Sequence, residues 1–138
     1  MSKLNISCWN SDWATPKSKR GKFFINQFDS DIICLTEGYE TLLPQYGYII
    51  SSNEDYGYKT KKGRRKVILW SKNKWTEVNQ IGSKEIPSGR FISGVTSGIR
   101  IIGLCIPWRF AHVSTGRKDR KPWEDHLSFI QNLSFSNE

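Results

Sequence analysis

Apolar positions along this chain gather into six short runs, each long enough for a strand. The first, Leu4-Asn5-Ile6-Ser7-Cys8-Trp9, stops at Asn10-Ser11-Asp12, and the second, Asp31-Ile32-Ile33-Cys34-Leu35-Thr36, stops at Glu37. Tyr46 to Ser51, Lys66 to Ser71, Phe91 to Thr96 and Ile99 to Cys105 supply the others. Two segments carry helical spacing instead. Thr15-Pro16 reads as an N-cap with proline at the first helical position, and the stretch to about Phe28 sets Phe24 and Phe28 one turn apart on an inward face. From Pro122 to Leu133, the three-and-four spacing of Trp123, His126, Leu127, Ile130 and Leu133 marks one buried face, while Glu124 and Asp125 sit where the helix dipole favours acids. Ser97-Gly98, between the last two strand runs, reads as a tight hairpin turn because glycine tolerates the positive φ that it needs. The chain shows no internal repeat, low-complexity segment or clear linker.

The helix from Thr15 would carry the chain back over the sheet and return it parallel at Asp31. Parallel neighbours end on the same side, so the pattern brings Asn10, Asp12 and Glu37 to one rim of a sheet, where ligand sites tend to form. These residue types suit a metal-bound phosphate. Magnesium takes oxygen ligands and keeps several waters, so one or two carboxylates plus a substrate phosphate complete its shell. Glu37 is the first candidate ligand and Asp12 a second ligand or an orienting partner, while Asn10 can orient a carboxylate or bond a phosphate oxygen without adding charge. Against this stands the plainer reading, in which a polar residue after a strand is a turn former or helix cap.

Charge sharpens the picture. The 138 residues hold 21 Lys and Arg against 13 Asp and Glu, a net charge of +8, and such a field favours nucleic acid or another phosphate-rich partner over a neutral one. The densest basic run is Lys59, Lys61, Lys62, Arg64, Arg65 and Lys66, preceded by Tyr56 and Tyr58. It fits a phosphate backbone with a Tyr stacked on a base, or equally a solvated hairpin tip whose cations guard an edge. A second run, Arg109 to Lys121, follows a strand end, with Arg109 nearest to it. Arg64, Arg65, Arg109 and His112, the last expected to be exposed, are therefore candidate phosphate contacts. His126 reads as a packed helix histidine.

Cys8, Cys34 and Cys105 lie in apolar runs at separations that match no zinc pattern, and an odd count argues against a disulfide framework. They read as small buried side chains in a reducing compartment. With no signal-like or membrane-length apolar stretch, a cytoplasmic location and no membrane partner are the expectation. Of six tryptophans, Trp9, Trp70, Trp75 and Trp123 are assigned to the core, and Trp13 and Trp108 to a substrate cleft.

Ser7-Cys8-Trp9-Asn10-Ser11-Asp12 followed by Asp31-Ile32-Ile33-Cys34-Leu35-Thr36-Glu37 resembles the first two motifs of the endonuclease/exonuclease/phosphatase superfamily. Lys66 to Lys72 resembles that family's next core strand, Arg100 to Pro107 the strand leading to its Tyr-x-Pro segment, and Pro122 to Leu133 the helix that follows. The resemblance implies an α/β (α+β) fold, the N-terminal part of a two-sheet, four-layer α/β/β/α sandwich. It also implies metal-dependent phosphoesterase chemistry with Mg2+ or Mn2+ on Glu37. The chain departs at Cys105, where abasic-site enzymes carry Tyr, and at Trp108, where they carry Asn; both differences count against abasic-site specificity.

The family's later Gly-Asp-x-Asn and Ser-Asp-His motifs have no counterpart, since Glu124-Asp125-His126 falls within helical periodicity. The chain is also short for the two-sheet sandwich, so a single partial, truncated domain is expected, with a partner chain covering an incomplete sheet. Two functions follow from the resemblance and the charge together. One is nuclease-like hydrolysis of phosphodiesters, with Asn10 and Glu37 catalytic. The alternative is a non-catalytic basic fragment that binds nucleic acid or a partner chain.

Overall fold

The computed structural model describes residues 3–27, 29–54, 57–58, 61–81 and 88–133. Phe28, Tyr56 and Lys59 therefore lie outside the described residues. In chain order the elements are β1 (Ile6–Asn10), α1 (Lys19–Ile25), β2 (Ile32–Tyr39), β3 (Tyr48–Ser51), β4 (Arg64–Ser71), β5 (Thr76–Asn79), β6 (Phe91–Thr96), β7 (Ile99–Leu104) and α2 (Glu124–Gln131), with short 3-10 turns at Glu40–Leu42 and Ser88–Arg90. Four strands form one sheet in the order β1-β2-β4-β3 and three form a second in the order β5-β6-β7. β1 and β2 are parallel, with Asn10 opposite Thr36, as the crossover through α1 predicts. All other pairings are antiparallel.

The two central strands carry the continuous apolar runs Ile32–Leu35 and Val67–Trp70 because both of their faces are covered there. Ile33, Leu35, Ile68 and Trp70 face Leu42, Leu43 and the partly buried Trp9, onto which Phe24 of α1 stacks at 3.4 Å between ring centroids. Val67 and Leu69 face the second sheet, where Ile92 and Cys105 meet them. Beyond that sheet, Phe129 of α2 packs on Phe91 with Leu104 and Leu133 at its edge. Helix, sheet, sheet and helix thus succeed one another as four layers, the mixed α/β architecture expected. Each fully buried aliphatic side chain in these layers stabilises the fold by about 1.5–3 kcal/mol.

Several elements differ from expectation. α1 begins at Lys19 because Ser18 caps it, its hydroxyl accepting from Gly21 N at 3.0 Å, while Thr15 O accepts from Ser18. Gly21 lies so close to Thr15 that a Cβ would meet its carbonyl oxygen at 2.0 Å, so the position requires glycine. β5 has no sequence signal because all four of its residues are exposed. α2 buries Phe129, whereas Trp123, Leu127 and Ile130 of the predicted face are exposed. The helix carries two apolar stripes, and the position of Phe91 selects the one containing Phe129. Trp123 consequently leaves the core, and Cys8 is exposed on edge strand β1 while Cys105 is buried. The β6–β7 hairpin is as predicted, with Ser97 at φ 51° and Gly98 at φ 76° joining Thr96 to Ile99. Among the described residues no helix is long and apolar enough to cross a membrane.

Candidate functional site

Glu37 does not end β2. It sits inside the strand at φ 50°, between the pairs Thr36–Val67 and Gly38–Arg65, and therefore opposite Lys66 of β4. A non-glycine residue with positive φ inside a strand is uncommon, and such strain gathers where surrounding structure holds it for a purpose. The loop after β1 supplies that hold. Ser11 N donates to Thr36 O at 3.0 Å, Trp13 N to Glu37 O at 2.7 Å, and Ser11 Oγ to the same carbonyl at 2.7 Å. Asp12 and Trp13 also have positive φ, 45° and 59°. The loop carrying Asn10 and Asp12 is thus bonded to the backbone of Glu37, as the parallel pairing of β1 and β2 requires.

The side chains do not all converge. Asn10 Oδ1 accepts from Asp12 N at 2.9 Å, a local turn of the kind that asparagine favours. Asp12 turns outward, its carboxylate 3.6 Å from Arg20 Nη1. Glu37 Oε1 accepts from Lys66 Nζ at 2.8 Å, and the Lys66 side chain is only 10% exposed. Lys66 lies 5.1 Å above the Trp13 ring and 5.9 Å from that of Tyr58. Arg64 lies over the same Trp13 ring at 4.8 Å and donates from Nε to Tyr39 Oη at 2.9 Å, so it belongs to this rim. Arg65 does not; it points to Glu40 and Glu54 at 4.0 and 3.5 Å. Arg109 is exposed, its guanidinium 4.6 Å over Phe110, and Trp108 is exposed beside it.

His112 was expected on the surface and is instead 2% exposed. Its ring stacks on Tyr58 at 4.5 Å, its Nδ1 accepts from Arg117 N at 3.1 Å, and its Nε2 lies 3.8 Å from Asp125 Oδ2. Gly57 and Gly116 close in on the ring, each so near that a Cβ would meet it within 2.6 Å. Burial, aided by the Arg117 charge, holds the imidazole below its ordinary pKa, so at neutral pH it is uncharged. Its main-chain N–H donates to Tyr58 Oη at 3.1 Å, so His112 pins Tyr58 beside Lys66 rather than reaching for a phosphate itself. His126 Nδ1 pairs with Pro107 O at 2.7 Å, in keeping with a packed histidine.

Two cations of the site escaped sequence reading as individuals. Lys66 was one letter in a basic run, and Arg90 lay before an ordinary apolar strand. Arg90 is 3% exposed and donates from Nη1 to Cys105 O at 3.2 Å, and no carboxylate of the described residues lies within ion-pair distance of it. Burial pushes the Cys105 thiol up from its ordinary value, the charges of Lys66 and Arg90 draw it down, and Glu37 raises it. The Cys105 thiol at the end of β7 thus feels one carboxylate and two sheltered cations, of which Arg90 touches it. The only available sequence signal for Arg90 was a lone cation directly before a run that had to be buried.

No protein-family model matches the chain, and no curated protein matches it in sequence. Solved structures do resemble it. An AP endonuclease from Archaeoglobus fulgidus superposes with a TM-score of 0.63 at 19% identity, over 95% of this chain and 49% of that one. A β-hairpin deletion mutant of beta toxin from Staphylococcus aureus gives 0.47 at 11% identity, over 95% and 72%. The first likeness shows an endonuclease-like fold, and the chain spans about half the length of that enzyme.

Proposed function

We propose that this chain acts on phosphodiesters in the manner of a nuclease, at the rim around Glu37, with nucleic acid as its partner. The observation that carries this reading is Glu37, its strained backbone held by the Ser11–Trp13 loop and its carboxylate paired with Lys66, with Trp13 and Tyr58 beside that ammonium and Arg64 over the same Trp13 ring. Its fold, shared with an AP endonuclease, is consistent with that chemistry.

The donor set fits a divalent cation of the magnesium type. Among the described residues no group of three or more His, Cys, Asp or Glu forms a closed cage. A cation with one protein carboxylate, waters and substrate phosphate needs none. Glu37 Oε1 already accepts a hydrogen bond from the Lys66 ammonium, so a cation is seated at this carboxylate. Mg2+ or Mn2+ held by Glu37 would neutralise charge developing on phosphorus and its oxygens. Around it Asn10 stiffens the loop, Arg64 and Lys66 supply charge for the phosphate, and Trp13 and Tyr58 offer faces for bases.

Binding without turnover is the second reading. It is favoured by the commitment of His112, whose Nδ1 lone pair already accepts from Arg117 N and so is not free to serve as general base at Glu37. Cleavage of a labelled oligonucleotide in Mg2+ or Mn2+, lost with EDTA and with Glu37→Gln, is the expected result. Salt-sensitive binding with no cleavage in either metal would favour the second reading instead.

A further inference from the structure

We propose that Lys66 occupies the cation position on Glu37 until metal and phosphate arrive together, so that the two ligands bind with positive coupling; this rests on the reading of Glu37 as the metal-bearing carboxylate. The ammonium sits 2.8 Å from Glu37 Oε1, so a divalent ion bound to that oxygen at about 2.1 Å would stand within about 5 Å of it, a like-charge contact. A divalent ion taking that oxygen therefore competes with it. Nor can the ammonium leave for bulk water at no cost, because its side chain is 10% exposed and lies against Trp13 and Tyr58.

What the displaced ammonium needs is an anion. Arg90, 3% exposed and bonded to the Cys105 carbonyl, already adds a fixed positive charge at this end of the sheets. Placing a dication on Glu37 raises that excess, and a phosphate bound beside it relieves both cations at once. Lysine suits such a role, since its compact charge on a four-carbon stem can swing from carboxylate to phosphate while its base stays in β4. Lys66 thus excludes the metal in the absence of phosphate and assists phosphate in the presence of metal. By linkage, each ligand tightens the other by the same factor. A purely structural cross-strand pair would produce no such reciprocity.

The test uses Mn2+, followed by the resonance of the free ion, and a short single-stranded oligonucleotide followed by fluorescence anisotropy. In the unsubstituted chain, saturating oligonucleotide is expected to tighten Mn2+ about fivefold or more, and Mn2+ to tighten oligonucleotide equally. In Lys66→Met, Mn2+ alone binds tighter and the coupling falls towards one. Unchanged or weaker Mn2+ binding in folded Lys66→Met, or undiminished coupling, overturns the inference while leaving the metal reading intact. Mn2+ binding unaffected by Glu37→Gln overturns the metal reading and the inference with it. Should Lys66→Met fail to fold, Lys66→Arg keeps the charge and grips the carboxylate with two donors; it must weaken Mn2+ binding, and equal binding overturns the inference.

Discussion

Arg64 and Arg65, consecutive in β4, serve different partners: Arg64 bonds Tyr39 Oη and lies over Trp13 on the Glu37 rim, while Arg65 pairs with Glu40 and Glu54 away from it. A strand turns successive side chains to opposite faces, so one basic run is divided between two environments. Arg64→Ala is expected to weaken oligonucleotide binding at every sequence and to reduce the slope of log affinity against log salt by about 1. Arg65→Ala should leave that slope unchanged. Anisotropy titrations across a salt series decide the matter, and equal effects from the two substitutions would place the bound strand elsewhere.

The Glu37–Lys66 pair is unequal in exposure, the carboxylate side chain being 25% exposed and the ammonium side chain 10%. Removing the acid strands the more buried charge, so Glu37→Gln should cost roughly 1–3 kcal/mol of stability. Lys66→Met leaves a carboxylate that water can still reach and should cost less. Urea denaturation of both variants and of the double variant checks this. The double variant is expected to lose less than the two single losses added together.

His112 makes stability depend on pH in a defined direction. Its folded pKa lies below the unfolded value of 6.5, because burial and Arg117 disfavour the charged ring. Between those two values the unfolded chain binds more protons than the folded one, so stability rises with pH there. The contribution is complete above about pH 6.5 and is lost as pH falls towards the folded pKa. The melting temperature should therefore drop on acidification below about 6.5, and His112→Gln should flatten that part of the profile. A profile with the same slope in the variant would remove His112 as its source.

Gly98 and Gly116 both adopt positive φ, 76° and 62°, but differ in room. Around Gly98 a Cβ meets nothing within 4 Å, whereas at Gly116 it would stand 2.4 Å from His112 Nδ1. Alanine at Gly98 should cost only the backbone term, about 1 kcal/mol. At Gly116 it must also move a buried ring held on several sides, so thermal melting should show a loss at least twice as large. Equal losses would mean that the His112 packing is loose.

Much of the framework is legible in the residues because burial on both faces leaves an unmistakable apolar run. Ile32 to Leu35 and Val67 to Trp70 are such runs, and the polar end of the first leads directly to Glu37. β5 is silent because nothing covers it. The inward stripe of α2 could not be chosen in advance, since Leu127 and Phe129 are equally apolar and only Phe91 on another element distinguishes them. His112 differs from expectation for a related reason: the segment around it carries exposed cations, Arg109 and Arg117, and its burial is the work of Tyr58, Gly57 and Gly116.

The order of strands and helices, the positive field and the acid at position 37 are local or summed properties, and they follow from composition and from spacings of a few residues. Which cation meets that acid is not local. Lys66 lies 29 positions away, among several other cations, and becomes the partner of Glu37 only because β2 and β4 pair in one register. Arg90 comes to the same end only because the two sheets stack. Pairing and stacking join residues that the chain keeps apart, and for that reason the charge balance of this site was decided by the tertiary structure alone.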